Sequence, residues 1–189
     1  MLHTIMQWSE CVHIVHDNGG LLVCPDLHNK QQIERLKDKV SAIFSPYVCD
    51  PTDFAKYWPD VPVYFHNDVL AWWLVDIFRI QAYAIDGVGF DYIISTWSTR
   101  IYYQHVPYVS GDWYTSIVSH QLPIDLWLFR LYEGLDSALH IAQELHARTV
   151  VPLHVKTDEL AIDYCRNIML YNSGVPKYLK PWQYVVHGV

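Results

Sequence analysis

Short apolar runs, broken at close intervals by turn residues, fill most of this chain, and that punctuation limits what it can fold into. Three such runs, 2–8, 11–15 and 21–24, stand at the amino end and read as strands. Asp17-Asn18-Gly19-Gly20 separates the second from the third. Asn18-Gly19 in that string is a hairpin signal, because a tight turn requires positive φ at both central positions. Further strands are expected at 40–44, 61–65, 79–84, 90–96 and 100–104, the last three as a meander punctuated by Asp86-Gly87 and Ser98-Thr99. Residues 124–129, 149–153 and 182–187 complete the set.

Helical spacing is confined to fewer segments. Ile33, Leu36 and Val40 recur within a charged stretch, and Leu70, Trp73, Leu74 and Ile77 follow Asn67 or Asp68 as cap. Ser137 precedes Ala138, Ile141, Ala142 and Leu145 at i, i+3, i+4, i+7, and Thr157 or Asp158 opens a last helix that Gly174 closes. Meanders followed by helix–strand units predict an α/β protein with two sheets covered by helices on the outside. The 189 residues carry no Gly/Ser linker, charge block or internal repeat, so a single domain over 1–189 is expected.

Composition excludes several function classes. A chain that is 51% hydrophobic is not a disordered tail. Only 17% of residues are charged, against about a quarter in an average protein, and the net charge is −7. With a pI near 5.8 there is no basic stripe for non-specific nucleic-acid binding. No run reaches about eighteen uninterrupted apolar residues, so no membrane span is expected. Met1-Leu2-His3-Thr4 lacks the basic and apolar regions of a leader, and Cys11, Cys24, Cys49 and Cys165 show no C-x-x-C spacing. These features together predict a reduced, cytoplasmic protein.

Eight Trp, fourteen Tyr and six Phe supply large core fillers, with a surplus for interfaces. Trp72 and Trp73, adjacent on an expected helix, would lie about 100° apart, one toward the core and one toward the rim. A homo-oligomer or a protein partner is therefore expected.

No G-x-S-x-G elbow and no phosphate-cradling glycine loop occurs. His13 and His16 on a strand point to opposite faces and cannot chelate together. Cys49 beside Asp50 offers a thiol, but reads more simply as a small loop filler.

Several strings taken in order resemble the metallo-β-lactamase superfamily, with the flavour of its small lactonase-like and ribonuclease Z-like hydrolases. They are Leu22-Val23-Cys24-Pro25-Asp26, Arg100-Ile101-Tyr102-Tyr103 and Ile124-Asp125-Leu126-Trp127-Leu128. The fullest is 138–154, which matches A-x-x-x-A-x-x-L-x-x-x-x-V-V-P-x-H. The resemblance implies a four-layer αββα sandwich. In the family, two metals are held at about 2.0–2.2 Å by imidazoles and carboxylates around an activated water.

Those ligands come chiefly from a T-H-x-H-x-D-H loop, which here reads Ser45-Pro46-Tyr47-Val48-Cys49-Asp50-Pro51. Asp50 keeps its ligand type, while Pro46, Val48 and Pro51 stand where histidines would be. A later histidine is replaced by the stretch holding Asp86. The bridging aspartate falls at Val106 with His105 beside it, and His154 survives at the end of its strand.

The resemblance thus implies a stripped metal site, no cofactor, and a pseudoenzyme that binds a protein partner or a small ligand such as a nucleotide. The candidate contact residues are His154, Asp50, Asp86 and His105 with the aromatic Tyr103, Tyr108 and Trp113. Two alternatives stand beside it. One is a metal-dependent hydrolase or phosphodiesterase with a reduced site built from Asp50, Asp86, His105 and His154. The other is a purely structural subunit or inhibitor.

Overall fold

The computed structural model of the chain describes residues 2–8, 11–17, 19–47, 49–66, 73–74, 77–85, 89–105, 123–130, 147–153, 157, 159–160, 162–163, 165–166, 175–176 and 184–188. The chain divides into two compact units, Met1–Arg79 with Leu179–Val189, and Ile80–Tyr178. It is a mixed α/β protein with two sheets.

The first sheet contains β1 (Leu2–Trp8), β2 (Cys11–His16), β3 (Gly19–Val23), β4 (Ala42–Ser45), β5 (Val63–Phe65) and β13 (Tyr184–Gly188), in the order β13-β1-β2-β3-β4-β5. The pairs β13–β1, β1–β2 and β2–β3 are antiparallel, whereas β3–β4 and β4–β5 are parallel. Parallel neighbours need crossovers, and α1 (Lys30–Leu36) and α2 (Pro51–Ala55) provide them. Every residue of β3 and β4 is buried, as expected of strands covered on both faces.

α1 starts where the Asn29 side chain accepts from the Gln32 amide at 3.2 Å, and it buries Ile33 and Leu36 against Cys11, Leu22, Ile43, Phe54 and Trp58. Each large side chain in this cluster contributes roughly 1.5–3 kcal/mol of transfer free energy. The helix ends at Leu36, and Val40 belongs to the core without being helical.

Two local expectations need correction. The β2–β3 register pairs His16 with Gly19, so Gly19 opens β3 and is not the turn residue that the Asn18-Gly19 signal makes it. Asp17 adopts the positive φ, +49°. Gly19 lies against the Ile77 side chain, whose Cδ1 tip would have to shift to admit a Cβ there. The second correction concerns Trp73, which was expected on a helix. Trp73–Leu74 is a short strand, β6, paired antiparallel with Arg79 and Phe78, so the helical placement of the Trp72-Trp73 pair falls.

The second sheet runs β12-β11-β10-β9-β8-β7-β6. Its members besides β6 are β7 (Phe78–Ile85), β8 (Gly89–Ser95), β9 (Arg100–Gln104), β10 (Leu126–Arg130), β11 (Thr149–Leu153) and β12 (Val175–Pro176). The β8–β9 pair is antiparallel, and β9, β10, β11 and β12 are mutually parallel. Trp127, Tyr92, Tyr102, Tyr103 and Phe129 are its largest fully buried side chains, so these aromatic residues fill core.

Thr157 Oγ1 accepts from the Leu160 amide at 3.2 Å, which caps helical residues at 159–160, 162–163 and 165–166, as the sequence predicts. Of the helices expected at 67–77 and 137–146, all but Trp73, Leu74 and Ile77 lie outside the described residues. Among the described residues, no helix is long and apolar enough to cross a membrane.

Candidate functional site

The carboxyl ends of β3 and β4 lie side by side in the first unit, and the chain turns sharply at each. Cys24 takes a left-handed φ of +51° directly after β3, while its amide still donates to Phe44 O at 3.0 Å. Asp26 Oδ1 then accepts from the His28 amide at 3.0 Å, which folds the segment over the sheet end.

After β4, Ser45 Oγ donates to Tyr47 O at 3.0 Å and lies 3.5 Å from Cys49 Sγ. Cys49 Sγ itself donates to Tyr47 O at 3.6 Å. Between the two turns is a cavity of about 440 Å³, lined by Cys24, Asp26, His28, Ser45, Tyr47 and Cys49 among others. Cys11, one step beyond the Val12–Val23 pair, is buried, and burial first, then nearby Cys24, pushes its thiol well above the usual range. Such a thiol is inert core sulfur. All four cysteines are free.

Asp50, the one conserved-type ligand in the loop, has a different occupation. Its Oδ1 accepts from the Thr52 amide at 2.9 Å and caps α2, with Pro51 at the first helical turn. The Thr52 amide, and then the Thr52 hydroxyl, hold the Asp50 carboxyl below its ordinary value. The donor set here does not fit the two-metal centre that the fold family implies. Prolines replace imidazoles at 46 and 51, valine at 48, and the remaining carboxylate is tied to a helix end. Among the described residues, no group of three or more His, Cys, Asp or Glu is placed to hold a metal ion.

A second arrangement sits in the other unit, at the carboxyl end of β9. Asp91, fully buried on β8, accepts from Tyr102 Oη at 2.7 Å and from the His105 amide at 2.7 Å. Burial first and Asp91 second push the Tyr102 phenol well above its usual range, so it stays a neutral donor. The His105 ring lies 5.8 Å from the Tyr103 ring and 6.1 Å from Tyr92, and Tyr92 stacks across the strand pair on Tyr103 at 6.3 Å.

Of the residues singled out from sequence, Tyr103 and His105 are thus neighbours. Tyr103 is fully buried. Asp50 belongs to the first unit, and His154, Asp86, Tyr108 and Trp113 lie outside the described residues. Sequence reasoning missed Asp91. Its signal was a carboxylate inside an otherwise apolar strand, between Phe90 and Tyr92.

Among solved structures, this architecture matches Igni18, a metallo hydrolase from the archaeon Ignicoccus hospitalis KIN4/I, over 100% of both chains at a TM-score of 0.75 and 13% identity. It also matches the metallo-β-lactamase fold protein YhfI of Bacillus subtilis, over 98% of this chain and 99% of that one, at 0.69 and 12%. The chain has the metallo-β-lactamase fold. A third match is a mutant of CmlA β-hydroxylase, at 0.66 and 11% identity over 99% of this chain and 54% of that one. A hydrolase and a hydroxylase thus share this architecture, and at such identities the likeness concerns the fold and leaves the reaction open. No protein-family model matches the chain. No curated protein matches it in sequence.

Proposed function

We propose that this metallo-β-lactamase-fold chain is a non-catalytic binding protein, which takes a small ligand into the cavity at the ends of β3 and β4. One observation carries the reading: the loop that would hold metal uses its polar groups on its own backbone. Ser45 and Cys49 both donate to Tyr47 O, and Asp50 caps α2. What is left is a hollow of about 440 Å³, within the about 300–1,000 Å³ range of ligand sites. Among the described residues its lining holds Asp26 and His28 but neither Lys nor Arg. That chemistry suits a neutral or cationic organic molecule better than a nucleotide phosphate.

Metal counting by mass spectrometry on chain purified without chelator tests the non-catalytic half. The expected result is less than about one zinc, manganese or iron per chain; a stoichiometry near two, with phosphodiester turnover, overturns it. The binding half is tested by a fragment screen in ¹⁵N spectra. Hits should shift the Cys24, Tyr47 and Cys49 amides in the parent and lose affinity in Cys49→Phe, which fills the hollow. Hits that bind Cys49→Phe equally well remove the reading. Self-association, expected from the aromatic content, is checked separately by light scattering across a concentration series.

A further inference from the structure

Three histidines stand in one row at the end of the first sheet. His3 on β1 lies opposite His187 on β13 and, on its other side, opposite His16 on β2. We propose that this His187–His3–His16 row, with Asp17 beside it, is a site for a single divalent transition-metal ion of borderline softness, zinc above all. It does not depend on the cavity beside β4, which sits at the opposite end of β3.

The row follows from register. Directly opposed residues of antiparallel strands share one face of the sheet, with Cβ atoms about 4.5–5.5 Å apart. β1 has antiparallel partners on both sides, so each of its residues has two such neighbours. In the next two rows Thr4 stands between Val186 and Val15, and Ile5 between Val185 and Ile14, which are ordinary strand pairings. At the end of the ladder the same place holds imidazole three times. With eleven histidines in 189 residues, chance seldom sets three in one row.

Only the backbone of β1 and β13 is described, so His3 and His187 enter by their position in the row. Strands about 4.7–4.9 Å apart put the outer two Cα atoms about 10 Å from each other. Two imidazole side chains can close that span on one ion, with the third between them.

His16 and Asp17 add an independent observation. His16 Nε2 lies 3.5 Å from Asp17 Oδ2. Zinc bonds of about 2.0–2.1 Å in tetrahedral geometry separate neighbouring donors by about 3.3–3.4 Å, so the pair already stands close to ligand spacing. The left-handed φ of Asp17, +49°, fixes where its carboxylate leaves the chain.

The His16 side chain is 2% exposed and that of Asp17 55%. A bare ion is smaller than a water molecule and bonds well inside water's contact distance, so the ring nitrogen needs no water-sized opening. The carboxylate is the way in. On the flank away from β1, Gly19 stands opposite His16 with the Ile77 side chain against it, an apolar wall.

Imidazole nitrogen with carboxylate oxygen suits zinc, whereas magnesium and calcium take shells of oxygen alone. Three imidazoles and one carboxylate fill a tetrahedral shell and leave no open position for an activated water, so the ion is structural. It would fasten β13, from the far end of the chain, to β1 and β2.

Calorimetric titration of the metal-free full chain with zinc tests the proposal. The expected result is one zinc per chain with a Kd on the order of 1–10 µM, weak enough that chain purified without added zinc carries less than one ion. Saturating zinc should raise the thermal midpoint by about 5 °C or more. His3→Gln, His187→Gln and Asp17→Asn should each weaken uptake at least about tenfold and lose most of that rise. Asp17 is exposed, so its variant should keep the parent's midpoint in chelator even where a strand substitution disturbs folding. Asp50→Ala should leave uptake unchanged. No saturable uptake at about 100 µM zinc, or uptake unchanged in any of the three variants, overturns the proposal. Uptake lost in Asp50→Ala overturns it as well, by moving the ion to the loop at 45–51.

Discussion

The β2–β3 and β8–β9 hairpins each carry a titratable side chain into a sheet interior, and they treat it in opposite ways. On β2, buried His13 has one contact for its ring, Nε2 at 3.1 Å from Lys39 O, and Nδ1 has no partner among the described residues. Gly20 makes the room, since a Cβ at that position would run into Lys39 O and His13 Nε2. Burial, aided by the Lys39 charge, lowers the imidazole pKa to about 4 against the opposing pull of the Lys39 carbonyl.

On β8, Asp91 is equally buried but receives two short hydrogen bonds, from Tyr102 and from the His105 amide. Depth is the same in the two cases; the number of partners differs. A side chain held by one bond sheds its charge, whereas one held by two becomes an anchor for its neighbours. Only the second arrangement positions other functional groups.

The widest gap between the two hairpins should open with Asp91→Ala. The buried Tyr102 hydroxyl and the part-buried His105 amide would lose their acceptor, at about 1–3 kcal/mol each, so a loss near about 4 kcal/mol is expected in urea unfolding. Tyr102→Phe, which removes one donor and leaves no orphaned one, should lose much less. Equal losses from the two changes would show that Asp91 anchors nothing.

The next largest effect belongs to His13 and depends on pH. Its folded pKa lies below the unfolded value of about 6.5, so the unfolded chain binds the proton more readily. Stability from this group is complete above about pH 6.5 and is lost as pH falls toward about 4, by roughly 3 kcal/mol in all. Unfolding midpoints of the parent and His13→Gln, compared at neutral and mildly acid pH, should show the acid loss flattened in the variant. Parallel curves would break the comparison.

Asp50 supplies the exposed counterpart. Its carboxyl is held below the ordinary value by Thr52, so the small stability it adds is present above the unfolded carboxylate pKa and fades as pH falls through the folded one. Asp50→Ala should fray α2 and lower the thermal midpoint slightly, with Asp50→Asn restoring most of it. Metal content should not change. A variant that lost bound metal would make Asp50 a ligand after all.

These residues also mark where sequence reading succeeds and where it stops. The strands at Arg100–Gln104 and Thr149–Leu153 were legible to the residue, since apolar runs there end at polar turns. That positions 46, 48 and 51 hold no metal-binding side chain was legible too, because side-chain identity needs no structure. Trp73 was not. Its spacing with Leu70, Leu74 and Ile77 fits a helix face, and a two-residue strand has no periodicity to oppose that.

The register that puts Gly19 in β3 was not legible, and its close neighbour there, Ile77, is far along the chain. Asp91 meets Tyr102 and His105 only through the β8–β9 register, 11 and 14 residues away. The His187–His3–His16 row likewise joins three strands that no local pattern connects.

The pairing of β1 with β13 has a consequence for how the chain comes off the ribosome. β1 precedes β13 by well over a hundred residues, yet Leu2 lies opposite Gly188 and Met6 opposite Tyr184. The whole second unit is synthesised in between. During that interval the outer edge of β1, with its Leu2, Ile5, Met6 and Trp8, has open hydrogen-bonding groups and nothing of its own to cover them. A chain that has not yet reached β13 is therefore sticky along one defined edge, which makes termination ahead of β13 a direct route to aggregation.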